Sequence, residues 1–139
     1  MIDSAIYNAL KDDAQIATKV ADGSDFHIYP LEIPDGALTS ATEGSRYFIV
    51  YQLISEINRQ DVDLRLPLYQ ITVIADRYTN AIALKDDIIR VLERFKGNLG
   101  SQQDVMNAHQ EGMTSIKDPE TDYYHIPLSF RFKYLGDNV

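Results

Sequence analysis

Residues 64–97 constrain this chain more than any other stretch, because they prescribe a strand and then, almost at once, a helix. The run reads LRLPLYQITVIADRYTNAIALKDDIIRVLERFKG. Tyr69, Ile71, Val73 and Ala75 alternate with Gln70, Thr72 and Asp76, the period-two pattern of a strand with one buried face. Helical spacing then takes over. Ala81, Leu84, Ile88, Val91, Leu92 and Phe95 share one face, while Asp86, Asp87, Arg90, Glu93 and Arg94 fill the other side. Thr79 or Asn80 is the expected N-cap and Gly97 the expected C′ glycine. A strand feeding such a helix predicts a helix laid back on its own sheet.

The rest of the chain completes that two-layer unit. Ile2, Ala5, Ile6, Ala9 and Leu10 recur at helical spacing, with Asp3 or Ser4 as cap. A short second helix is expected over residues 12–21, burying Ile16, Ala17 and Val20 and ending at Gly23. Neither segment is long enough to be stable alone, so both must pack on something. Residues 26–29 read as a short strand closed by Pro30, followed by an irregular loop over 31–45. Residues 46–58 form a strong strand pattern with large apolar residues in both alternating sets: Tyr47, Ile49, Tyr51 and Leu53, then Phe48, Val50 and Ile54. Such a strand is expected to be central and covered on both faces, the second cover coming from another subunit.

Residues 59–65 (RQDVDLR) are a charged tip between two strands, consistent with a hairpin reaching beyond the core. Pro67 argues against continuous pairing beside it. Residues 98–103 are a connector, 105–117 a polar strand, and DPETD at 118–122 a turn. In the last strand, over 123–135, Tyr124, Ile126, Leu128, Phe130, Phe132 and Tyr134 face one way. Tyr123, His125, Ser129, Arg131 and Lys133 face the other. Pro127 lacks an N–H, so this strand is expected at an edge or with a bulge. The order is α-(α)-β-β-β-α-β-β in one domain spanning 1–139. The fold class is α+β, a mostly antiparallel sheet with helices packed on one face.

Composition narrows the chemistry. The formal charge is −8, so phosphate-gripping basic patches are not the theme, and there is no cysteine for disulfides or thiolate chemistry. Nine tyrosines and five phenylalanines favour strands. No run suits a membrane helix, and the acidic, amphipathic start is not that of a signal or transit peptide. His27, His109 and His125 stand in no metal-binding spacing. The pairs Asp12–Asp13 and Asp86–Asp87 point about 100° apart on a helix and do not converge. DPETD lacks the spacing of a calcium loop. Phosphate-loop, dinucleotide and nucleophile-elbow motifs are missing from the sequence. The basic residues Arg90, Arg94 and Lys96 suit a helix C-terminus. No catalytic, cofactor or metal residues are assigned.

Surfaces are the remaining candidates. Ile82 and Ile89 lie seven apart and off the main apolar face, with the stems of Lys85 and Lys96 nearby. Together with Arg59, Asp61, Asp63 and Arg65 at the charged tip, they form the candidate interface.

The ordered features now carry a resemblance. An N-terminal helix, the strand end Ile28-Tyr29-Pro30, YFIVYQLIS at 47–55, YQITVIADRYTNA at 69–81 with its helix, and YYHIPLSFRFKY at 123–134 are involved. Taken in that order, they resemble the tail completion or tail terminator proteins of long-tailed bacteriophages. That resemblance implies a structural virion protein and not an enzyme. It implies a ring, commonly of six subunits, that ends the tail tube and joins the tail to the neck of the head. The partners it implies are further copies of the chain, the tube protein and a head-completion or neck protein. DNA would pass through the lumen without sequence-specific binding, with no membrane and no cofactor involved. The net negative charge suits such a lumen. The implied location is the tail–neck junction, with the host cytoplasm during assembly. A head-completion or connector protein at the portal is the alternative position. A small ligand-binding or enzymatic α+β domain is the alternative class.

Overall fold

The computed structural model describes residues 3–22, 25–31, 47–59, 64–93, 97–98, 104–113, 116–117 and 123–135. The expected turn at 118–122, most of the 31–45 loop and the acidic tip residues Asp61 and Asp63 lie outside them. Three helices occur among the described residues: α1 (Asp3–Asp12), α2 (Ala14–Val20) and α3 (Tyr78–Leu92). The strands are β1 (Ala21–Asp22), β2 (Asp25–Phe26), β3 (Ile28–Pro30), β4 (Tyr47–Arg59), β5 (Leu64–Ala75), β6 (Gly97–Asn98), β7 (Asp104–Met113), β8 (Ile116–Lys117) and β9 (Tyr124–Leu135). β1 and β2 pair as a small hairpin. The main sheet runs β3-β4-β5-β9-β7-β6, with β8 pairing on β9. Its pairs are antiparallel except β3–β4, which are parallel. The fold is α+β, as the periodicities require.

Alternation assigns the two faces of the sheet. Ile49, Tyr51, Tyr69, Ile71, Val73 and Ala75 are buried beneath the helices, and so are Ile126, Leu128, Phe130, Phe132 and Tyr134. The helices supply Ile6 and Leu10, Ile16 and Val20, then Ala81, Leu84, Ile88 and Leu92 to the same core. Tyr69 meets Phe132 edge-on, with ring centroids 5.8 Å apart. Buried chains of this size are each worth roughly 1.5–3 kcal/mol of transfer free energy, so this single layer dominates stability.

Two ion pairs fasten the short α2 to α3. Asp13 is the N-cap of α2, its carboxylate accepting the Ile16 amide at 3.1 Å. The same oxygen accepts from the Arg90 guanidinium at 2.8 Å. Partial burial alone would push the Asp13 carboxyl up. The hydrogen bonds from Arg90 and the Ile16 amide outweigh it and hold the group below its ordinary 3.8. Lys19 pairs with Asp87, which is 9% exposed. The expectation that Asp87 belongs to the solvated side is therefore corrected. A cation from the neighbouring helix lets a carboxylate sit at the helix–helix seam.

Other expectations are also corrected. α3 begins before Thr79 and Asn80: Arg77 holds the N-cap position without a side-chain cap bond, and the Asn80 amide reaches back 3.5 Å to Asp76. α3 ends at Leu92, with Glu93 as C-cap, and Gly97 joins β6 instead of capping the helix. The β4–β5 ladder continues straight through Pro67, which sits opposite Glu56. The interruption falls on the other side, where the β5–β9 register passes from Arg65↔Tyr134 to Leu68↔Arg131. There the Arg131 guanidinium donates to the Leu66 carbonyl at 3.0 Å. β9 is an inner strand, not an edge. Pro127 pairs across from Thr72 and falls in the interval between β7 (Met113↔Leu128) and β8 (Ile116↔His125), where no donor is demanded of it. The bulges lie instead in β4 at Leu53/Ser55 and along β7.

Candidate functional surface

The sheet has a second face, and the helices do not cover it. Phe48, Val50 and Gln52 from β4 alternate away from the core residues of that strand. Gln70, Thr72 and Ile74 do so on β5, and His125, Ser129, Arg131 and Lys133 on β9. At one end of this face Phe48, Ile74 and Tyr123 bury one another, with Tyr29 and Val50 at the margin. His27 joins them, its ring stacked on Phe48 at 4.5 Å and 7°, its Nδ1 3.3 Å from the Tyr47 carbonyl oxygen. That environment makes His27 a packing residue. His109 is a surface group 3.4 Å from Glu93.

Beside the small cluster lies an open hollow of about 300 Å³ lined by Leu31, Val50, Gln52, Thr72, Ile74 and His125, among others. Leu31 stands at its rim with two unusual properties. Its φ is +69°, the left-handed region that costs a non-glycine residue roughly 1–2 kcal/mol. Its side chain is 68% exposed. The amide of Leu31 donates to the Tyr51 carbonyl at 3.0 Å, which pins the residue there.

The opposite end of the face is the outer part of the β4–β5 hairpin. Ile57 pairs directly across from Leu66, and Leu68 follows two residues on, opposite Ser55. Tyr69 is a core residue, so Leu68, Leu66 and Ile57 point to the helix-free side. Ile57 is 54% exposed, and Ile54 at the bulge is 47% exposed. Arg131, opposite Leu68 and paired with Glu111 at 3.4 Å, and Lys133 lie beside this apolar strip. Gln52, Gln70 and Thr72 form the polar side of the hollow, with Gln70 donating to Thr72 at 3.2 Å, and Leu68 is the next residue of β5 on the same face.

The structure disperses the interface residues that the sequence suggested. Arg59 ends β4, opposite Leu64. Arg65 points to the helix side of the hairpin, 3.9 Å from Glu56, whose carboxylate also accepts from the Tyr134 hydroxyl at 3.5 Å. Ile82 and Ile89 are half-buried and pack against the main core. Lys85 beside them is largely covered and reaches Asp86 at 2.7 Å. Leu31, Ile57, Leu66 and Leu68 were not singled out in advance. The alternation of Leu64, Leu66 and Leu68 is legible in the sequence, directly beside the charges of the tip. Among the described residues no group of three or more His, Asp or Glu side chains is placed to hold a metal ion.

No family model matches this sequence, and neither does the sequence of any curated protein. The fold, however, is similar to that of known structures. A chain from the solved virion of a native gene transfer agent particle superposes with a TM-score of 0.71. The alignment covers 96% of this chain and 93% of that one, at 20% sequence identity. The two therefore share a fold along almost their whole length.

Proposed function

We propose that this chain is a structural subunit of a phage-like virion. The observation that carries this reading is the near-complete fold match to a chain of a gene transfer agent virion. Within that class the reading is a tail terminator: a ring of copies, six by resemblance, that ends the tail tube and meets the neck. The exposed sheet face and the long hairpin support it, because a subunit of a ring needs surface that its own core does not cover. The half-buried Ile82 and Ile89 on α3, and the charged tip from Arg59 to Arg65, are proposed as further contact surface with neighbours. The net charge of −8 suits a passage that DNA traverses without adhering.

Imaging of assembled particles carrying a labelled copy of this protein tests the reading. A ring at the tail–neck junction is the expected result. Absence of the protein from particles that are otherwise complete would sink it. Removing the gene separates the two positions: loss of a terminator leaves DNA-filled heads and tails of uncontrolled length. Loss of a head-completion protein leaves normal tails and leaking heads.

A further inference from the structure

Glu93 stands where the helix dipole disfavours it. α3 ends at Leu92, and the carbonyl end of a helix carries partial negative charge, which suits Arg90 in the last turn and repels a carboxylate. Yet Glu93 is the C-cap, its own amide donating to the Ile89 carbonyl at 2.8 Å. A local rule broken at one residue points to a compensating contact elsewhere. Here that contact is with β7. One carboxylate oxygen of Glu93 accepts the Gln110 amide at 3.0 Å, and the other lies 3.4 Å from His109 Nδ1.

β7 has a side that the sheet leaves open. β9 occupies its inner side, and among the described residues the strand on its outer side is β6, which pairs with Asp104 and Val105 alone. An edge of unpaired N–H and C=O groups is a template for another strand. Bulges break the β7 register between Val105 and Asn107 and again between Gln110 and Gly112, so the regular run between them is 107–110. The amide that Glu93 occupies belongs to that run. We infer that Glu93 is a guard that closes the β7 edge to β7 of a second copy of this chain. A second copy is the strand to be excluded, because it is present at the protein's own concentration and carries the same edge. Two such edges match antiparallel about a twofold axis, run 107–110 against run 107–110. The product is a closed pair, which would withdraw copies from any larger assembly.

This inference does not rest on the ring reading, since a ring makes no use of that pair, and it is tested on the purified chain with the parent as reference. Glu93→Ala removes the acceptor. Glu93→Asp keeps the charge but draws the oxygens back by one methylene. Glu93→Gln loses the charge but keeps the reach and an accepting oxygen. Sedimentation over a wide range of concentration is read beside hydrogen exchange, with circular dichroism to verify folding. The Ala and Asp variants should shift with rising concentration toward double the parent's mass, and exchange over 107–110 should slow in step. The Gln variant should sediment as the parent does. If Glu93→Ala fails to fold, the smaller change in Glu93→Asp carries the test. Ala and Asp variants that sediment like the parent would overturn the inference. So would association that leaves exchange over 107–110 unchanged, because the copies would then be meeting elsewhere. A Gln variant that associates as strongly as the Ala variant would also overturn it, because charge and not the bond to Gln110 would then be keeping the copies apart.

Discussion

Replacing Asp13 tests the account of how the helical layer is held. One carboxylate oxygen caps α2 through the Ile16 amide and also accepts from Arg90 on α3. Removing an N-cap of this kind costs about 1 kcal/mol. The ion pair adds little, because Arg90 is largely in solvent and such pairs are screened. Asp13→Ala should therefore destabilise by about 1–1.5 kcal/mol, a fall in Tm of roughly 3–6 °C for a chain of this size. Asp13→Asn keeps an oxygen acceptor for the amide and should lose less than half as much. Arg90→Ala should perturb the protein less than Asp13→Ala does. Urea unfolding followed by circular dichroism reads all three. The pH dependence has a definite sign. The folded carboxyl titrates below its ordinary 3.8, so its stabilisation is fully present above that value and is lost as pH falls through the folded pKa. The gap between parent and Asp13→Ala should stay constant from neutrality down to about pH 4 and shrink below it. An Asp13→Ala protein as stable as the parent, or a gap that widens in acid, would refute the reasoning.

Three further substitutions address the core, the seam and the rim. Phe130→Ala empties a fully buried site in the central strand and should cost about 3–5 kcal/mol in denaturant unfolding. Lys19→Met should destabilise by about 2 kcal/mol by leaving the nearly buried Asp87 without its cation, and Asp87→Leu added to it should recover much of that loss in a double-mutant cycle. Leu31→Gly relieves the positive φ and should raise the stability of the isolated chain by about 0.5 kcal/mol, the strain relief being partly offset by the entropy of an added glycine.

Both isoleucines on α3 show how a helical wheel can be read too sharply. Ile82 and Ile89 fall off the main stripe by angle, yet both are half-buried and pack against the core cluster. Asp87 falls on the polar side by the same arithmetic but is nearly covered, because α2 lies against that flank and brings Lys19. A helix flanked on two sides buries more than one face, and the sequence of that helix does not report its neighbours.

What the sequence determined by itself was everything governed by local periodicity. Alternation in residues 69–75 and 124–134 chose the core face of β5 and β9, and the spacing of Ala81, Leu84, Ile88 and Leu92 chose that of α3. Those patterns suffice for the α+β class, because a one-residue slip in any strand would put its whole apolar set into water. Tertiary structure alone decided which strands are neighbours, and with that the meaning of each proline. Pro127 is harmless in an inner strand because β7 has ended and β8 not yet begun; Pro67 is harmless because Arg131 serves the Leu66 carbonyl across the break. It also decided the candidate surface. Val50, Ile57 and Leu66 share one face through the local β4–β5 ladder, and the parallel pairing of β3 with β4 brings Leu31 to the same uncovered face. The β3–β4 pairing, across residues 31–46, set the place of Leu31, and local periodicity does not report it.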